Sequence, residues 1–317
     1  MKAQLIEVAR IWDNAPHCAF TGLVRFQEYW YCTFREAQKH VSPDGKLRII
    51  RSRDGKQWES VALIPSTDSD LPDLRDPKIG IIPDGRLMLM GCATSLEEGV
   101  PRRTYVWFSV DGKEWSDKHP VGDPGTWLWS FTSDEKVLFG VGYEKNNGVR
   151  SVSLYRAENP PAFERLTTLH TDERFPNETS LLMEGDSGIA LIRREFAPGQ
   201  TTVPPYNNGT ALLGVSRAPF TDWQTTDLGI YVGGPTLLRL PNGKIIAAGR
   251  QISSAHYATL WELDTEKGAL HELLILPSGG DCSYPGLVWH EDHLWISYYS
   301  HHEGAAKIYF AKVQIVD

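Results

Sequence analysis

Short apolar runs separated by turn residues fill this chain, and none of them keeps a helical period for more than a turn or two. The stretch "DPKIGIIPDGRLMLMGCA" (Asp76 to Ala93) shows the unit: an apolar strand, an Asp-Gly turn, and a second apolar strand ending in small or polar residues. The same unit returns in "FTGLVRFQEYWYCTFRE" (Phe20 to Glu36), "PNETSLLMEGDSGIALIRRE" (Pro176 to Glu195), "GPTLLRLPNGKIIAAGRQ" (Gly234 to Gln251) and "YPGLVWHEDHLWISYYS" (Tyr284 to Ser300). "WLWSFTSDEKVLFGVGYE" (Trp127 to Glu144) follows it more loosely. Period-two apolar runs between Gly, Pro, Asn and Asp predict hairpins throughout.

Taking the first residue of each first strand gives Phe20, Asp76, Trp127, Glu178, Gly234 and Tyr284, at intervals of 56, 51, 51, 56 and 50 residues. A repeat of about 50 residues built only of strands marks a β-propeller with about four strands per blade. Six units fill the 317 residues, so the fold expected is an all-β six-bladed propeller in a single domain, 1–317. The last unit has one strand, "KIYFAKVQIV", after its hairpin, and "AQLIEVARI" precedes the first unit. The N-terminal strand should therefore complete the last blade and close the ring, which removes open sheet edges.

Composition narrows the partners. With 32 basic against 40 acidic residues the net charge is −8, so neither nucleic acid nor an anionic membrane is the expected partner. No apolar run approaches a membrane span, and Glu7, Arg10 and Asp13 interrupt the start where a signal peptide would be apolar, so a cytoplasmic location is expected. Cys18, Cys32, Cys92 and Cys282 show no CxxC spacing and read as packed, reduced thiols. No cofactor is implied. Of the histidines near the last hairpin, His290 and His293 fall at the turn opposite His301 and His302, which argues against a metal site.

The third strands carry a second pattern. "RSRDGKQW" (Arg51 to Trp58) and "FSVDGKEW" (Phe108 to Trp115) both contain Ser-x-Asp-Gly-x-x-Trp, and "VSRAPFTDW" (Val215 to Trp223) is a decayed copy. Asp can bond backbone amides, Gly supplies a positive φ, and Trp packs as a plug. Such Asp-box turns on a six-fold repeat resemble the sialidase (neuraminidase) superfamily. "NETSLL…GIALIRR" is similar to the sialidase segment carrying a glutamate and then an arginine, and "CSYPGLVW" stands where sialidases keep a tyrosine.

Antiparallel connectivity puts the starts of first strands and the ends of second strands on one rim, with the Asp-Gly turns and Asp-boxes on the other. That first rim collects Arg75, Asp76, Trp127, Asn177, Glu178 and Tyr284 from first strands, and Arg35, Glu36, Tyr143, Arg194, Arg250 and Tyr299 from second strands; His40 follows shortly after. Charges gathered there suit a polar, anionic ligand, expected to be a small acidic sugar or oligosaccharide. Arg35, Arg194 and Arg250 hold matching positions in blades one, four and five; they can clamp a carboxylate or form salt bridges between blades. Trp127 and Trp129 can plug the channel or stack on a sugar.

The resemblance implies roles. Tyr284 would be a nucleophile and Glu178 its base, an arrangement that stands apart from the usual carboxylate pair of glycosidases. Arg194 and Arg250 would hold a substrate carboxylate. The acid is Asp76, Glu36 or His40, with Asp76 preferred because it leads a first strand. Two departures stand out: "HCAFTGLV" has no arginine where sialidases begin the first inner strand, and Pro285 follows Tyr284 where they have serine. Arg35 or Arg75 could replace the missing arginine. The expected function is a sialidase-like hydrolase of an acidic or deoxy sugar, with a uronate lyase or a non-catalytic carbohydrate-binding propeller as alternatives.

Overall fold

The computed structural model describes residues 1–134, 136–146, 149–196 and 209–316. They form six four-stranded antiparallel sheets, and no helix occurs among them. The innermost strands are His17–Phe26, Asp73–Ile81, Trp127–Asp134, Pro176–Glu184, Gly233–Arg239 and Cys282–His290, and in five sheets the remaining strands follow outward in chain order. Each innermost strand packs against those of the two neighbouring blades, the sixth against the first, so they encircle one axis. In the sixth sheet Cys282–His290, His293–Ser300 and Lys307–Val316 are completed by Lys2–Trp12, with Lys2 opposite Val316. The ring is thus closed by the N-terminal strand, as the spare strand at each end of the sequence predicts.

Second strands are buried on both faces. Leu87–Thr94, "LMLMGCAT", has seven consecutive buried residues because blades cover both sides of it; such strands read as continuous apolar runs. All four cysteines are buried free thiols. Burial pushes Cys32 and Cys92 up to about 12, which keeps them inert.

The two Asp-boxes have one geometry. Asp54 Oδ1 accepts from the amides of Lys56 (2.8 Å) and Gln57 (2.9 Å), Ser52 Oγ accepts from Gly55 N at 2.9 Å, and Gly55 has φ 73°. Asp111, Ser109 and Gly112 repeat these contacts, with φ 71° at Gly112. The turns hold the outer strands in register on the rim away from the charged one. In the decayed copy Trp223 still plugs its turn, donating to Phe220 O at 2.9 Å.

Candidate active site

One irregularity recurs at the head of every innermost strand. Pairing with the second strand slips between Ala19 and Gly22, Arg75 and Lys78, Leu128 and Ser130, Pro176 and Thr179, Gly233 and Thr236, and Ser283 and Gly286. These are β-bulges, which bend a strand and re-aim the extra residue. Four place a residue at positive φ: Phe20 (65°), Asp76 (49°), Gly234 (58°) and Tyr284 (51°). For Phe, Asp and Tyr this conformation is strained, and it persists only where the surroundings over-determine it. Proline follows the bulged residue at Pro77, Pro235 and Pro285, and lacks the amide that a regular ladder would need there. The bulges turn six residues toward the axis: Phe20, Asp76, Trp129, Glu178, Gly234 and Tyr284.

At the centre the Tyr284 hydroxyl donates to Glu178 Oε1. Glu178 Oε2 accepts from Arg193 Nη1 at 2.5 Å and from the Gly234 amide at 3.0 Å. Arg193 Nη1 also stands 3.4 Å from the Tyr284 oxygen, and its Nη2 pairs with Glu195 at 2.5 Å. Gly234 is required twice over. Its φ suits glycine, and a Cβ there would come within 2.7 Å of the Tyr284 ring.

Burial alone would raise the Glu178 carboxyl, but the charge of Arg193 and hydrogen bonds from Tyr284 and Arg193 outweigh it and hold the group below its usual range. Burial, reinforced by the charges of Glu178 and Asp76, pushes the Tyr284 phenol well above its usual value. The resting pair is therefore a phenol beside a carboxylate that can take its proton.

Asp76 lies beneath. Oδ2 accepts from Trp129 Nε1 at 3.2 Å, Oδ1 has no partner, and burial raises the carboxyl toward its neutral form. Half-buried Lys78 places its ammonium 4.1 Å from the Trp129 ring and 5.6 Å from that of Tyr284. Burial lowers it to about 8, against the pull of Asp76 and Glu178. Phe20, Trp129 and Tyr284 plug the axis; below them Lys78 lines a cavity of 590 Å³ at the opposite mouth of the channel.

Toward the charged rim, Phe20 is the hub, with ring centroids 4.8 Å from Tyr284, 5.4 Å from Tyr299, 5.1 Å from His40 and 6.3 Å from His17. The Arg75 guanidinium lies 5.3 Å over the Phe20 ring, with Asp73 at 3.8 Å as its ion-pair partner and its Nε unpaired. Arg75 also lines a 430 Å³ groove with Val41, Leu96, Arg102 and Trp127.

The predicted residues separate into two groups. Tyr284, Glu178 and Asp76 come together at the axis, with Arg75, Arg250 and His40 around them. Arg35 is committed elsewhere: fully buried, it bonds Asp73 (2.7 Å), Lys39 O (2.9 Å) and Ser42 O (3.1 Å). Arg194 is likewise held by Asp172 (3.1 Å), Asp227 (2.5 Å) and Thr210 O (2.7 Å). Arg35 thus bridges to the next blade through Asp73, while Arg194 is tied to Asp172, in the connection from the preceding blade, and to Asp227 of its own blade; neither is free to clamp a ligand. Glu36 accepts from Trp12 Nε1 at 2.6 Å and Arg48 at 2.9 Å, away from the axis. Trp127 stacks on Tyr143 (5.7 Å, 17°) beside the groove, and Trp129 is the axial plug.

No protein-family profile matches the chain, and a search of curated protein sequences finds no relative. Solved structures do match. A Penicillium chrysogenum α-L-arabinanase complexed with arabinobiose superposes with a TM-score of 0.73 at 15% identity, covering 98% of this chain and 97% of that one. A mutant of a Fusarium graminearum α-L-arabinofuranosidase in complex with an iminosugar inhibitor gives 0.76 at 14%, covering 98% of each. A Trypanosoma rangeli sialidase mutant displaying trans-sialidase activity gives 0.69 at 11%, covering 98% of this chain and 58% of the sialidase. The fold is the propeller these glycosidases share.

Sequence reasoning missed several residues at the site. Arg193 is the arginine on Glu178, not its neighbour Arg194; the bulge at Pro176–Thr179 resets which of the two faces the axis. Asp281 and His17 sit just before or at the start of their innermost strands, where no apolar pattern marks them. Asp281 Oδ2 faces His40 Nδ1 at 2.6 Å and His17 Nε2 at 3.3 Å, and Oδ1 accepts from Tyr299 (2.7 Å) and Arg250 (3.2 Å). Among the described residues, these two histidines and Asp281 form the group whose spacing could suit a metal ion, with ligand atoms within 4.8 Å of one another.

Proposed function

We propose that the protein is a glycoside hydrolase that removes a terminal acidic sugar, with Tyr284 as nucleophile and Glu178 as its base. The observation that carries this reading is the Tyr284–Glu178 hydrogen bond, with Arg193 on the same carboxylate. A phenol is a poor nucleophile while protonated, and a contacting carboxylate removes that obstacle during attack. In the first step the Tyr284 oxygen bonds the anomeric carbon while its proton passes to Glu178. The bond to the leaving-group oxygen breaks as that oxygen takes a proton from a neighbouring acid. In the second step water attacks the anomeric carbon and gives its proton to that same group, while the tyrosine oxygen leaves the carbon and recovers its proton from Glu178. A neutral nucleophile suits a sugar whose carboxylate would repel a charged one.

Support for an acidic substrate lies in the guanidinium groups that carboxylates do not saturate. Arg75 has only a 3.8 Å contact, and Arg250 Nη1 makes no hydrogen bond among the described residues. Arg102 adds a third charge in the groove, over Trp127 and Tyr143. Guanidinium forks match carboxylate geometry. Trp127, backed by Tyr143, lines the groove and offers an aromatic surface for a neighbouring sugar. The names of the three similar structures, two of which hold a sugar or a sugar mimic, support carbohydrate hydrolysis in general. Asp76 beneath the pair and His40 across the Phe20 ring from Tyr284 are the two candidates for protonating the leaving-group oxygen.

The test is a panel of aryl glycosides (sialosides, uronides and deoxyhexosides) with Tyr284→Phe as control. Hydrolysis of one class, reduced about 10³-fold or more in Tyr284→Phe with the fold unchanged, is the expected result. Silence across the panel, or activity that survives the substitution, would overturn the mechanism. Release of an unsaturated product would turn it into a lyase.

A further inference from the structure

We infer that His40 and Asp281 form the proton-transfer dyad of this site, with His40 the general acid toward the leaving group; the inference rests on the glycosidase reading above. Asp281 is braced for such a role. Its Oδ1 accepts from the Tyr299 hydroxyl (2.7 Å) and Arg250 Nη2 (3.2 Å), and Arg250 is itself fixed by Cys282 O at 2.7 Å. That fixes Oδ2 toward the two imidazoles. Burial opposes the charge on Asp281, but hydrogen bonds from His17 and His40 outweigh it and hold the carboxyl well below its usual range.

A carboxylate only accepts, so the nitrogen 2.6 Å away, His40 Nδ1, carries a hydrogen. The tautomer is thereby set, and Nε2 is left to give and take a proton. No described residue bonds Nε2, and the side chain is 46% exposed, whereas Asp76 is 4% exposed with one oxygen committed to Trp129. A leaving group departs toward solvent, which is where His40 stands. Phe20 separates it from Tyr284, and its chain neighbour Val41 lines the groove of Arg75, Arg102 and Trp127. His40 thus occupies the boundary between the axial sugar and the groove that would take the next unit.

The same three side chains could instead bind a metal, and the donor set decides against it. His17 faces Asp281 through Nε2, while its buried Nδ1 meets no partner. With hydrogen on Nε2, Nδ1 is a bare acceptor, which is cheap to bury. A metal on Nε2 would force the hydrogen onto Nδ1, leaving a buried donor unsatisfied. Burial lowers the His17 imidazole, in keeping with a neutral ring that positions Asp281. In the first step His40 Nε2–H gives its proton to the departing glycosidic oxygen as that bond breaks. In the second, Nε2 takes a proton from the attacking water.

The experiment compares leaving groups in the full-length protein. Glycosides of the preferred sugar carrying a nitrophenol and an unactivated alcohol are assayed with wild type, His40→Gln and Asp281→Asn, with thermal unfolding as a fold control. His40→Gln should lose about 10²-fold or more on the alcohol glycoside and less than about 10-fold on the nitrophenyl one. Asp281→Asn should show the same asymmetry, weaker. Equal losses on both substrates, or none, would overturn the dyad while leaving the glycosidase standing. So would activity abolished by a chelator and restored by zinc, which would give the three side chains to a metal. A wild type inactive on every glycoside would sink both readings.

Discussion

Two junctions between blades use the same device to different ends. Arg35 and Arg250 hold the same ladder position, opposite Ala19 and Gly233, just before the bulge of their blades. Each reaches an aspartate three residues ahead of the next axial residue: Asp73 before Asp76, and Asp281 before Tyr284. At the first junction the pair is sealed, with side-chain exposures of 0% and 1%, and Ser42 and Lys39 take the remaining donors. At the second, Asp281 is 28% exposed and shares its charge with two histidines and a tyrosine. One repeat-encoded ion pair holds blades together. Its copy has been opened to the rim, where a fixed carboxylate can orient a proton carrier.

The largest effect should come from breaking the sealed copy. Arg35→Met leaves Asp73 charged and buried and should cost about 3–5 kcal/mol of stability, whereas Arg35→Met with Asp73→Leu should recover most of it. Arg250→Met should cost about 2 kcal/mol or less, because Asp281 keeps Tyr299 and the histidines. Its activity should nonetheless fall about 10²-fold. Urea unfolding of the three variants, with hydrolysis rates for the last, checks this; equal destabilisation by Arg35→Met and Arg250→Met would erase the distinction.

Gly234→Ala comes next. The added methyl meets the Tyr284 ring at 2.7 Å at a φ of 58°, so it should cost about 1–3 kcal/mol and displace the amide that holds Glu178. Misplacing Glu178 by even about 1 Å should lower kcat about 10²-fold. Unchanged kcat would show that the Gly234 contact does not position Glu178.

Two pH effects are smaller. Glu178 is held below its ordinary 4.5, so the stability it adds is complete above that pH and drains as the pH falls through its lower folded value. The gap in unfolding free energy between wild type and Glu178→Gln should therefore narrow in acid. Lys78 runs the other way. Folding lowers it from 10.5 to about 8, so the unfolded chain holds the proton longer and stability rises from pH 8 to 10.5. Lys78→Met should lose that rise, seen as unfolding midpoints measured across the same window; an unaltered slope would mean that Lys78 is solvated.

Much of the fold was legible because the repeat is a spacing of apolar strands, and spacing survives in sequence. Tyr284, Glu178 and Asp76 were legible for the same reason, since each leads an innermost strand. The bulges were not. They shift which neighbour faces the axis, so Trp127 stands in the sequence where Trp129 does the plugging, and Arg194 where Arg193 meets Glu178. Asp281 lies in the connection just before its innermost strand and His17 at the first residue of its own, where no periodicity marks them; Asp73 stands 38 residues from Arg35, and Asp172 and Asp227 stand 22 and 33 residues from Arg194 along the chain. Whether such an arginine clamps a ligand or a blade depends on a contact that no local pattern encodes.

The most direct test of the account is to trap the protein with a fluorinated, activated form of its preferred sugar and map the adduct by peptide mass. One glycosyl group is expected on the peptide containing Tyr284, absent in Tyr284→Phe. An adduct on Glu178, or turnover by a trapped-free enzyme with inversion at the anomeric carbon, would contradict it.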